Sequence, residues 1–154
     1  MALEFFNEKQ ERNFLNKLKK QFGILEIPGI LIKRGKERIF LFEGNLSKGE
    51  IKKLERSIPI ERMGVYFGKE FDDGVRLSIE GVHILENQIT DGVFELNEDQ
   101  AQRWMEGQEL NIKTGKKGYL IMKYKNDFLG CGKASELKIG NFIPKNRRLK
   151  IKTQ

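Results

Sequence analysis

Gly118-Tyr119-Leu120-Ile121-Met122-Lys123-Tyr124, followed by Leu129-Gly130-Cys131-Gly132-Lys133, is the stretch on which the reading of this chain turns. A strand with one wet face alternates apolar and polar residues. Tyr119 to Met122 is apolar without a break and then turns basic, which predicts a strand buried on both faces that emerges at its far end. Leu137-Lys138-Ile139 and Arg148-Leu149-Lys150-Ile151 alternate as half-buried strands do. Upstream, Asn97 with Gln100 reads as a helix cap ahead of Ala101, Trp104 and Met105, and Gly107 closes that helix. Short strands with a single good helix predict a small closed barrel in the second half of the chain.

The first half reads differently. Asn7 with Gln10 forms a capping box, and Phe14, Leu15, Leu18 and Phe22 share one face before Gly23, so the spacing predicts a helix over 8–22. Ile30-Leu31-Ile32 and Arg38-Ile39-Phe40-Leu41-Phe42 flank a polar, glycine-containing tip and predict a hairpin. Ser47 with Glu50 caps a short helix carrying Ile51 and Leu54, and Pro59 ends that region. Val65-Tyr66-Phe67 is strand-like. Glu70-Phe71-Asp72-Asp73-Gly74 has turn chemistry and predicts a division between two units.

The 154 residues suffice for one ordinary domain or two small ones, with 38% hydrophobic content and eleven Phe to fill a core. Charge is unevenly spread: residues 116–154 hold eleven Lys/Arg against two acids, a surplus of nine, whereas the whole chain carries +7. A localised surplus interleaved with glycine and aromatic residues points to a polyanion, nucleic acid above all; a solvated lysine-rich face is the plain alternative. One cysteine and one histidine leave no spaced set of soft ligands for zinc or an iron–sulfur cluster and no disulfide. No apolar stretch approaches a bilayer span and no apolar signal core precedes Glu4, so a soluble cytoplasmic protein without membrane contact is expected. The glycine–lysine pairs lack the upstream glycine of a phosphate-binding loop, and no cofactor is implied.

The run 118–124, then Leu129-Gly130-Cys131-Gly132-Lys133, then Asn141-Phe142-Ile143-Pro144-Lys145-Asn146-Arg147-Arg148-Leu149, resembles the PUA-like RNA-binding domain attached to NOP/Sun-type rRNA cytosine methyltransferases. Gly64-Val65-Tyr66-Phe67-Gly68-Lys69 with Arg76-Leu77-Ser78-Ile79 resembles the domain junction of the nuclear import protein seven family, small ribosome-biogenesis proteins. The resemblance implies an α+β chain: a small α/β pre-PUA domain over 1–72, then a PUA-like β pseudo-barrel over 73–154. It implies RNA, rRNA or tRNA, as the ligand, with protein partners meeting the near-neutral N-terminal domain. Two functions follow from it: a non-catalytic RNA-binding protein of ribosome biogenesis or rRNA modification, or a detached RNA-targeting subunit of an RNA methyltransferase. The chain has no room for the large methyl-donor domain of those enzymes.

Lys133, Lys145, Arg147 and Arg148 are the leading candidates for phosphate contact, arginine because it can engage two oxygens at once. Lys123 and Lys125, two apart, would share a strand face; Lys138 and Lys150 widen the basic set, and for Lys150 and Lys152 a solvated tail is an equal reading. Gly130 and Gly132 fit either a close approach of backbone to phosphate or a bulge at a barrel corner. Tyr124 and Phe142 read as core before they read as base-stacking platforms. Cys131 has no nearby base and reads as a small buried residue, and His83, in an apolar context, as a satisfied structural histidine.

Overall fold

The computed structural model describes residues 4–150. Five strands, β1 (Glu4–Phe5), β2 (Ile30–Arg34), β3 (Arg38–Phe42), β4 (Val65–Phe71) and β5 (Gly74–Leu77), form an antiparallel sheet in chain order. The expected hairpin is β2–β3, with Leu31 opposite Leu41. Helix α1 (Glu8–Phe22) occupies the expected span, its start closed by reciprocal bonds of 2.8 and 2.9 Å between Asn7 and Gln10. It ends where Gly23 takes up the left-handed conformation and donates to Lys19. Phe14, Leu18 and Phe22 are fully buried, as their spacing requires. The Ser47–Glu50 capping box opens α2 (Lys48–Leu54), and a single turn, α3 (Ile60–Met63), leads into β4.

The turn at Asp72–Asp73 joins β4 to β5 within this first sheet. The division expected at 72/73 thus falls inside a hairpin, and the chain passes between sheets over residues 78–92. That passage contains α4 (Ile79–Leu85), a helix the sequence reading did not foresee. Ser78 caps it by accepting from Gly81, with no glutamate or glutamine to complete a capping box. The second sheet is β6 (Val93–Glu95), β7 (Gly118–Tyr124), β8 (Asp127–Ala134) and β9 (Ile139–Asn141) in that order, with β6 parallel to β7 and the other pairs antiparallel. Helix α5 (Glu98–Met105) carries the expected Asn97–Gln100 box.

Strand β7 is buried on both faces, as read from its apolar run. Tyr119 and Ile121 join one core with α1, β5 and α4, while Leu120 and Met122 join a second around Trp104 and Ile139. The first core therefore lies beneath both sheets. Gly130 and Gly132 are both buried, and Gly130 borders the space between the two sheets. A Cβ at Gly132 would stand 2.6 Å from the Trp104 ring and 2.9 Å from the Gly140 carbonyl oxygen, so this glycine exists to let tryptophan pack on the sheet.

The alternating Arg148–Ile151 segment is not a strand over its described residues, and Ile151 lies outside them. Instead it is tied to the end of α5: the Leu149 amide donates to Met105, Arg148 Nε donates to the Ile143 carbonyl, and Asn141 Nδ2 donates to the carbonyls of Trp104 and Gln108. Arg148 lies across Gly107, where a Cβ would stand 2.3 Å from its Cδ.

Candidate nucleic-acid interface

The eight basic residues singled out from the sequence sit at separate places. Lys133 pairs with Tyr119 across the β7–β8 ladder, and Lys123, four residues further along β7, pairs with Phe128. At strand spacing the two positions are about 13 Å apart. Lys133 stands near the end of the sheet that also carries Lys138, in the β8–β9 turn, and Lys116 and Lys117. Lys123 and Lys125 stand at the opposite end, the β7–β8 turn. Lys145 and Arg147 belong to a 3₁₀ turn after β9, and Lys150 follows, exposed.

Half of the eight are engaged within the protein. Lys133 meets Asp73 at 3.3 Å, Lys138 meets Glu109 at 3.0 Å, Arg147 pairs with Glu80, and Arg148 is folded against Gly107 and the Ile143 carbonyl. The bond to Asp73 raises the Lys133 ammonium above its ordinary value. The three ion pairs are half-exposed, and such pairs hold with about 0–1 kcal/mol, so a phosphate can displace the carboxylate. Lys123, Lys125, Lys145 and Lys150 make no ion pair among the described residues. Lys123 and Lys125 lean over the rings of Phe128 and Tyr124, at 5.4 Å each. Lys125 is the one described non-glycine residue with positive φ, 52°.

Beside the first strand of that ladder, a groove of about 570 Å³ is lined by Lys17, Lys20, Lys116 and Lys117 but also by Asp72, Asp73 and Asp91. Its charge is mixed. Lys17 is already held by Glu70 at 3.0 Å.

A second concavity, about 100 Å³, opens between the two sheets at the start of α4. Its buried lining includes Leu77, Cys131 and Ile143, and its more exposed lining Tyr66, Arg76, Phe142 and Arg147. The Arg76 guanidinium lies 4.0 Å from the Phe142 ring centroid, and Arg38 lies 5.5 Å from that of Tyr66. Burial raises the Tyr66 phenol above its ordinary value, against the pull of the Arg76 and Arg38 charges. Neither Arg38 nor Arg76 has a carboxylate partner among the described residues. Phe142, expected in the core, is 40% exposed. The tie between Asn141 and α5 holds residue 142 outward while Ile143 takes the buried position.

The sequence reading passed over Arg38, Tyr66 and Arg76 as parts of strands. A faint signal was present: Arg38, Phe40 and the Tyr66 opposite Phe40 place charge and rings at alternate positions of neighbouring strands. Cys131 is buried, and desolvation pushes its thiol up to about 12, so it offers no nucleophile. His83 Nε2 hydrogen-bonds the Phe128 carbonyl at 3.2 Å, although its ring is exposed. Among the described residues no cluster of His, Cys, Asp and Glu could hold a metal ion, and no helix is long and apolar enough to cross a membrane.

The architecture is thus an α+β one, an N-terminal sheet with helices followed by a PUA-domain sheet. Residues 92–149 match the family described as the methyltransferase RsmF PUA domain. Similarity extends beyond that segment to curated proteins named ribosomal RNA small subunit methyltransferase F: 28% identity over 81% of this chain for that of Psychromonas ingrahamii, and 26% over 89% for that of Aeromonas salmonicida. The chain spans about a quarter of the length of these relatives, 26% and 28% respectively.

Proposed function

We propose that this chain is the RNA-binding arm of an rRNA-methylating system: it holds structured ribosomal RNA and carries no chemistry of its own. The observation that bears most weight is the combination of a PUA domain with similarity, through both sheets, to methyltransferases that act on small-subunit rRNA by name. That match favours a role in rRNA modification over a free-standing ribosome-biogenesis factor. The catalytic partner is a methyltransferase body, whether joined to this chain or separate. A thiol held neutral at Cys131 agrees with a non-catalytic part.

Shape and phosphate recognition suit a surface whose cations are spread over two ends of a sheet, because a duplex presents phosphates at intervals comparable to their spacing. Lys125 supports the same reading. It keeps a long cation at a turn position that glycine would occupy with less strain.

The test is equilibrium binding of a labelled small-subunit rRNA fragment across a salt series, wild type beside Lys123→Glu/Lys125→Glu. Affinity that falls steeply with salt, and a slope shallower by about one per lost phosphate contact in the variant, is the expected result. No binding at low salt would overturn the RNA assignment. Unchanged methylation of that fragment when this chain is withheld from its methyltransferase would overturn the targeting role.

A further inference from the structure

Resting on the RNA-binding reading, we infer that the cleft between the two sheets receives one unpaired nucleotide of the bound RNA. Three features converge there. The Arg76 guanidinium lies 4.0 Å from the centroid of the Phe142 ring, which is 40% exposed, and a planar cation and an aromatic ring are both surfaces on which unpaired bases stack. Arg38 and Arg76 flank the half-buried Tyr66, and neither forms an ion pair among the described residues. With Glu80 balancing Arg147 and Glu37 the one carboxylate felt at Tyr66, the mouth of the cleft keeps a net positive charge suited to a phosphate. The buried lining, Leu77 and Ile143 among it, encloses about 100 Å³, which admits the edge of a base and leaves the sugar and phosphate at the arginines.

The position is also built rather than incidental. Phe142 and Arg147 come from the segment that Asn141 and Leu149 pin to α5, while Tyr66 and Arg76 come from the first sheet. Arg147 is steadied by Glu80 at the start of α4. A nucleotide here would touch both sheets at once, which gives the N-terminal sheet a direct part in binding RNA. A blunt duplex has no base free to enter, so the cleft discriminates RNAs that carry a bulge, loop or overhang from those that do not.

The experiment compares two labelled hairpins of the same stem, one blunt and one with a single-stranded 3′ extension, against wild type, Phe142→Ala, Phe142→Trp and Arg76→Gln. Phe142→Ala is expected to weaken binding of the extended hairpin by about tenfold and to leave the blunt one unchanged, with the salt slope preserved. Phe142→Trp is expected to restore affinity. Arg76→Gln is expected to weaken the extended hairpin and lower its salt slope by about one. Equal losses on both hairpins, or no loss on either, would overturn the cleft assignment while leaving RNA binding intact. A wild type that binds neither hairpin would remove both readings. Phe142 is partly exposed, so the variants are expected to fold, and an unaltered melting temperature checks this.

Discussion

Cys131 shows how one side chain reports the state of the whole core. Burial disfavours its thiolate and pushes the thiol from an ordinary value of 9.0 up to about 12. Between those values the unfolded chain binds fewer protons than the native one, so stability falls as pH rises above about 9, by at most about 1.4 kcal/mol per pH unit. Tyr66 and Tyr119, both raised mainly by burial, act in the same direction at higher pH. Denaturant melts between pH 8 and 11 should show this fall, reduced in Cys131→Ala, and iodoacetamide at pH 8 should label Cys131 only as the protein unfolds. Lys125 makes the opposite case, a residue whose backbone works against the fold. Lys125→Gly should raise stability by about 1 kcal/mol, read as a higher denaturant midpoint, while weakening RNA binding at low salt.

At the scale of elements, what the sequence revealed was what is local. The capping pairs Asn7–Gln10, Ser47–Glu50 and Asn97–Gln100 span three residues each, and all three open helices. The unbroken apolar run of β7 announced its double burial because no outside partner is needed to read it. Helix α4 escaped because Ile79-Glu80-Gly81-Val82-His83-Ile84-Leu85 is short, rich in β-branched residues and interrupted by glycine, all of which argue against a helix until tertiary packing overrides them. Arg148–Leu149–Lys150 alternates like a strand but finds hydrogen-bond partners on α5 instead. The site was less legible than the fold: Lys133–Asp73 and Arg147–Glu80 join residues far apart in sequence, and nothing near either lysine or arginine foretells its partner.

Another long-range contact governs the edge of the first sheet. Gln21, on α1, donates to the Val75 carbonyl at 2.9 Å and accepts from the Val75 amide at 2.8 Å. Gln21→Ala should leave both backbone groups without a partner at a part-buried site and lower stability by about 1–3 kcal/mol, measured by chemical denaturation. Gln21→Glu should fare nearly as badly, because a carboxylate accepts but cannot donate.

For the molecule as a whole, the shared core matters more than the count of sheets. Tyr119, Ile121 and Cys131 of the second sheet are packed with Phe14, Leu18 and Val75 of the first unit, so separating the halves would expose apolar surface on both. Thermal unfolding should follow a single transition, with near-ultraviolet and far-ultraviolet signals superimposing. A fragment comprising 73–154 should bind hydrophobic dyes and lose that cooperativity. Two separable transitions with a well-folded fragment would show that the halves are independent. Because that core is shared, the two sheets are held in a fixed relation, and the cleft between them is formed before any ligand arrives.

The Gln21 clamp has a social consequence. A sheet ends in a row of hydrogen-bonding groups that will accept a strand from any neighbour, including another copy of the same protein. By standing in for that missing strand at Val75, one glutamine side chain occupies a docking point on β5 that another copy of the chain would otherwise need in order to zip onto this edge.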